Sequence, residues 1–169
     1  MRSLLLWRKK LQVIMSKSKE LAIRLKEVFL DGTWIANTNY KKQLENVTWQ
    51  ESEAQIASLN TIATLTFHIN YYVAGVLNVF ENGKLEIRDK YSFHTSEIKS
   101  KKDWEILKNK LFTNAEKLVN YVEKLSLEKL EGVFFDEKFG SYYRNIEGII
   151  DHSYYHLGQI SLIKKMVKI

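Results

Sequence analysis

The sequence predicts an all-α fold, a four-helix bundle, on three observations. Four segments place apolar residues at helical spacing. Proline, which ends helices and punctuates loops, is absent. The 169 residues, 45% hydrophobic and 27% charged, suit one domain built around a single substantial core. Unequal connections between the helices argue against a simply repeated helical hairpin.

The first periodic segment, SKSKELAIRLKEVFL, sets Leu21, Leu25, Val28 and Phe29 on one face and stops at Asp31-Gly32. A short helical piece is expected around Asn39 to Leu44. The second helix is predicted to start near Thr48, which stands three residues before Glu51 in the spacing of a capping box. It is expected to run unbroken through Ile56, Leu59, Ile62, Leu65, Ile69, Val73, Val76 and Phe80 to Asn82-Gly83. That is roughly 30 residues, or about 45 Å at 1.5 Å per residue.

Residues 84–100, KLEIRDKYSFHTSEIKS, lack helical spacing and form a long connection between helices 2 and 3. Connections of that length inside a compact domain often carry function. The third helix is expected after Ser100, with Trp104, Leu107, Leu111, Leu118, Val122 and Leu125 facing inward. The run VFFDEKFGSYY alternates around Asp136 to Gly140 and predicts a small hairpin-like turn before helix 4. The fourth helix is expected from Arg144 to about Val167.

Several function classes are excluded by composition or left without a motif. With no cysteine there is no disulfide, no thiolate metal site and no thiol nucleophile carried by the chain, so an attacking thiol would have to come from a small molecule. The seven glycines form neither a dinucleotide fingerprint nor a phosphate loop, and no nucleophile elbow is present. The pairs Tyr71-Tyr72, Tyr142-Tyr143 and Tyr154-Tyr155 fit a core or a pocket wall better than a base-stacking platform.

The net charge of +6 is concentrated at one end. Arg2, Arg8, Lys9 and Lys10 precede Met15 with no acidic residue among them, which leaves 22 basic against 20 acidic side chains over the rest of the chain. That balance gives no case for nucleic acid as a partner. The leader MRSLLLWRKKLQVIM begins like an export signal, but its apolar stretch is short and Arg-Lys-Lys interrupts it. Residues 1–15 are therefore expected to be an extension preceding a domain of residues 16–169, or a lengthening of the first helix. A cytoplasmic location and no membrane span are expected.

Two of the four histidines, His152 and His156, stand four positions apart in DHSYYHLGQI. At about 100° per residue they lie one turn apart along the flank of the face defined by Ile146, Ile149, Ser153, Leu157 and Ile160. His68 takes a similar offset from Ile62, Ile69, Val73 and Val76 on helix 2. Three neutral imidazoles suit zinc or nickel and leave a coordination position open, the pattern of a catalytic metal site; the same spacing also suits satisfied core histidines. Ser153 stands where a zincin protease needs glutamate, and Leu65 and Ile149 stand where a di-iron carboxylate bundle needs it.

His68 in TFHINYYVAGVL, the segment LEIRDKYSF and the segment RNIEGIIDHSYYHLGQISLIKK together resemble the DinB/YfiT-like superfamily of bacterial proteins, over about residues 16–168. The resemblance implies a four-helix bundle, commonly a homodimer, in which His68, His152 and His156 hold a divalent metal ion. It further implies that the metal activates a low-molecular-weight thiol such as bacillithiol or mycothiol for S-transfer to an electrophile, the thiol and the electrophile being the small-molecule partners. The alternative is a metal-binding stress or interaction protein without turnover. His94 departs from the pattern, which leads one to expect an acidic residue in that loop, and a solvent-facing histidine is the simpler expectation for it. Arg88, in the long connection, and Arg144, two turns before His152, are the candidate substrate-binding residues, because such thiols carry carboxylates that the planar guanidinium grips.

Overall fold

The computed structural model describes residues 17–168. The basic leader, the expected extension of residues 1–15, lies outside the described residues. Among the described residues the chain is all-helical, with four long helices and three short ones. Helix α1 spans 17–29, followed by α2 (Tyr40–Leu44), α3 (Trp49–Glu53), α4 (Ile62–Asn82), α5 (Lys101–Glu123), α6 (Leu127–Glu131) and α7 (Tyr142–Val167).

Local chemistry marks most of these boundaries. The Thr48 hydroxyl accepts from the Glu51 N–H while the Glu51 carboxylate accepts from the Thr48 N–H, completing the expected capping box. Ser100 and Ser141 cap α5 and α7 by accepting from Asp103 N–H and Arg144 N–H. Gly83 ends α4 at φ 66°, a left-handed conformation that glycine adopts without steric cost.

The second helix is not the single span that its periodicity predicts. It stops at Glu53 and restarts at Ile62. Two polar devices produce the break. Gln55 folds its amide back onto the carbonyls of Ala57 and Leu59, and Ala57 takes φ 48°. Thr61 then caps a new helix by accepting from the Thr64 N–H. Leu59, expected along the unbroken helix, lies in the break and is exposed. The third helix ends at Glu123, and Ser126 opens the separate α6 that the sequence reading leaves out. The turn before α7 contains one antiparallel bridge, Val133 to Ser141, around a 3-10 turn at Glu137–Phe139.

One core joins these elements. α4 packs against both α5 and α7, and α1 contributes Leu21, Leu25, Val28 and Phe29 to the same cluster. Trp104 is buried in it, its ring N–H donating to the Val47 carbonyl at 2.8 Å. α2 is tied to α7 from both sides: Tyr40 donates to the Ser153 carbonyl at 2.9 Å, and Lys164 donates to the Gln43 carbonyl near the end of α2. The long connection folds back over α4, where Gly75 makes room. A Cβ there would meet three atoms of the Ile87 side chain at 2.5 to 2.9 Å. No helix among the described residues is long and apolar enough to cross a membrane.

Candidate metal centre

The contact between α4 and α7 brings His68 against His152 and His156, across 84 residues of sequence. Each ring follows from its helix register. Ile69 and Val73 point to the centre of the core, which places His68 at the edge of α4's buried face. Ser153, Leu157 and Ile160 do the same on α7. His68 and His156 are buried, and His152 is partly exposed.

The three rings meet through their Nε2 atoms. His68 Nε2 lies 3.2 Å from His152 Nε2, and His156 Nε2 lies 3.0 Å from it. One ligating nitrogen from each ring falls within 4.8 Å of the others. Three nitrogens bound to one tetrahedral zinc ion at 2.0–2.1 Å would stand about 3.3 Å apart, close to the separations found here.

The opposite edges of two rings fix their protonation. His68 Nδ1 is 3.2 Å from the Ser92 carbonyl, and His156 Nδ1 is 2.6 Å from the Gln159 side-chain oxygen. Both partners can only accept, so both Nδ1 atoms carry the proton and donate. In the neutral rings this leaves a bare lone pair on each Nε2, both directed at His152 Nε2. That atom holds at most one hydrogen, so at least one of the two contacts sets acceptor against acceptor. A cation shared by the three nitrogens removes the conflict, and the donor set fits a divalent metal ion.

A proton does not serve in its place at neutral pH. Burial, then the neighbouring His156 and His68, hold the His152 pKa down at about 4, against an ordinary 6.5. Burial and the charge of His156 also lower His68, against weaker opposing effects of Ser92 and Asp89. His156 is lowered by burial, with the Gln159 hydrogen bond opposing. The three rings are therefore neutral near pH 7, the state in which imidazole ligates metal.

Aromatic rings enclose the cluster. Phe93 stacks on His68 with centroids 3.9 Å apart and planes 14° from parallel. Tyr72 presents its ring edge-on to both His68 and His152 at 5.0 Å and donates its hydroxyl to Asp89 at 2.9 Å. Beyond His152 opens a cavity of about 580 Å³, whose walls include Tyr72, Val76, Ile87, Asp89, Arg144 and Ile149.

The expected site residues divide. His68, His152 and His156 come together, and Arg144 lines the cavity that His152 reaches. Arg88 does not line that cavity; its backbone is clamped by Tyr71, whose hydroxyl donates to the Arg88 carbonyl and accepts from its N–H, and it is exposed. His94 is exposed too, with its ring against Tyr91 rather than among the other histidines. The acidic residue that the long connection brings to the cavity is Asp89, five positions earlier.

Three contributors are not singled out by the sequence, Gln159, Asp89 and the Ser92 carbonyl, while Tyr72 takes a pocket-wall place of the kind expected of the Tyr71-Tyr72 pair. Of the three, Gln159 has a readable signal: it stands at i+3 from His156, a spacing that puts side chains on one helix face. The chain matches no family model, no curated protein and no solved structure.

Proposed function

We propose that this protein is a divalent-metal-dependent enzyme resembling the DinB/YfiT-like superfamily, a cytoplasmic homodimer whose four long helices form a four-helix bundle. In this reading His68, His152 and His156 hold zinc or nickel, and a low-molecular-weight thiol is transferred to an electrophile.

A single observation carries the reading: three neutral imidazoles converge through Nε2 while the far nitrogens of two are held by fixed acceptors, which leaves an acceptor-to-acceptor contact that only a shared cation relieves. A divalent ion bound there would lower the pKa of a thiol that joins it, supplying a thiolate at neutral pH to a chain that has no cysteine of its own. The chain's own residues do the rest. Ser92 and Gln159 orient two of the rings, Phe93 covers one face of His68, and Tyr72 with Asp89 walls the side of the cavity next to His152.

An open position beside a cavity favours turnover over a purely structural metal site, in which all four positions are closed. Metal analysis of protein purified without a histidine tag, followed by a screen of thiols against monochlorobimane, tests the reading in two steps. About one ion per chain and thiol-dependent conjugation are expected. Metal without conjugation would leave the non-catalytic metal-binding protein as the better reading, and absence of metal from the untagged protein after zinc and nickel supplementation would remove both.

A further inference from the structure

Along α7, Arg144, Gly148 and His152 follow one another at intervals of four residues, so they form a stripe on one helix face, and all three line the 580 Å³ cavity. From Arg144 to His152 the helix rises two turns, about 12 Å. The middle position is a glycine inside a long helix, where glycine weakens the helix, and a Cβ added there would meet nothing within 4 Å. The stripe is thus a floor with open space above it.

Arg144 is exposed, and its charge is unpaired among the described residues. Its guanidinium makes no hydrogen bond, ion pair or ring-stacking contact with any described residue. It stands in the first turn of α7, where a positive charge opposes the helix dipole and an acidic residue would be favoured. Lys138, on the same cavity wall, adds a second cation, held loosely at 3.9 Å from Asp136. Among the described lining residues the one carboxylate, Asp89, accepts from Tyr72 and pairs with neither cation. Val76, Ile87, Phe134 and Ile149 give the lining an apolar share beside the polar Asp89 and Asn145.

We propose that this cavity binds an amphipathic monocarboxylate, its carboxylate gripped by Arg144 and its apolar body lying over Gly148 along Val76, Ile87 and Ile149 toward His152. A volume of 580 Å³ lies within the range of small-molecule pockets. The apolar share of the walls favours an apolar body, which assigns the ligand to the acceptor side of the proposed transfer. Only that assignment rests on the metal reading; the carboxylate end and the apolar floor do not.

The test measures octanoate and octanamide binding to the metal-free full-length chain by calorimetry, beside separate measurement of zinc uptake. A charge-assisted contact predicts that octanoate binds about tenfold or more tightly than the amide. Arg144→Gln should erase that preference, and Gly148→Leu, which fills the open floor, should abolish binding of both while leaving the helical circular dichroism intact. Equal affinity for octanoate and octanamide, or a preference that survives Arg144→Gln, overturns the proposal. Because ligand binding and zinc uptake are read separately, loss of zinc uptake with octanoate binding intact would sink the metal reading alone, and the converse would sink this one alone.

Discussion

His156 Nδ1 lies 2.6 Å from the side-chain oxygen of Gln159, one turn further along α7, and this contact decides which nitrogen of His156 faces the other two rings. With Gln159 accepting, the proton stays on Nδ1 and Nε2 is free to ligate.

Replacing Gln159 by leucine should therefore weaken metal binding without unfolding the protein. Loss of such an orienting partner typically costs 10- to 100-fold in affinity. Competition with a chromophoric chelator would measure it; an unchanged affinity would show that the Gln159 contact does not orient His156.

His152 is the ring on which the other two converge, at 3.2 and 3.0 Å. His152→Ala should remove most of the bound metal, read by elemental analysis of the untagged protein. A variant lacking His68, His152 and His156 together that still retained about one ion per chain would place the metal elsewhere.

The same ring makes the metal-free protein acid-sensitive. Its folded pKa is held at about 4, below its ordinary 6.5, so well above pH 6.5 the ring is neutral in both the folded and unfolded chain and contributes no pH dependence. Between 6.5 and 4 the unfolded chain takes up a proton that the folded chain refuses, and stability falls as the pH is lowered through that window. Urea midpoints measured across it should slope less steeply in His152→Asn than in the parent; identical slopes would assign the sensitivity to other groups.

Tyr40→Phe removes the buried hydroxyl that donates to the Ser153 carbonyl, one residue after His152. The expected loss is about 1 kcal/mol, seen as a lower melting temperature with metal content retained. A variant as stable as the parent would show that this link between α2 and α7 contributes nothing net.

Gly75→Val should lift the long connection off α4, because Ile87 already occupies the space that the new side chain requires. Displacing the connection moves the Ser92 carbonyl away from His68, so metal affinity should fall by about 10-fold or more. Trimming Ile87 to alanine in the same chain should restore it. Failure of that rescue would mean that the connection is held by contacts other than the one at Gly75.

Much of this was legible in the chain itself. The capping box at Thr48 falls where the Thr48 to Glu51 spacing puts it, α5 begins directly after Ser100 as expected, and α7 begins two residues before its expected start. The break between α3 and α4 is invisible to periodicity, because Ile56, Leu59 and Ile62 keep helical spacing across it and periodicity carries no information about Gln55 bonding to its own neighbouring carbonyls. The two arginines looked equivalent in sequence and are not: Arg88 belongs to a connection whose path depends on Gly75 and Tyr71, whereas Arg144 is bound to the rigid register of α7.

That His152 and His156 share a helix flank follows from the chain alone, since the helical rise and rotation fix any pair four residues apart, and so does the need for any thiol to come from a small molecule. That His68 meets them, and that its far nitrogen finds the Ser92 carbonyl, depends on how the helices and the long connection pack. Packing between α4 and α7 depends on whole apolar faces rather than on any one residue, and a backbone carbonyl is the same in every residue, so its role appears only when the chain folds it into place.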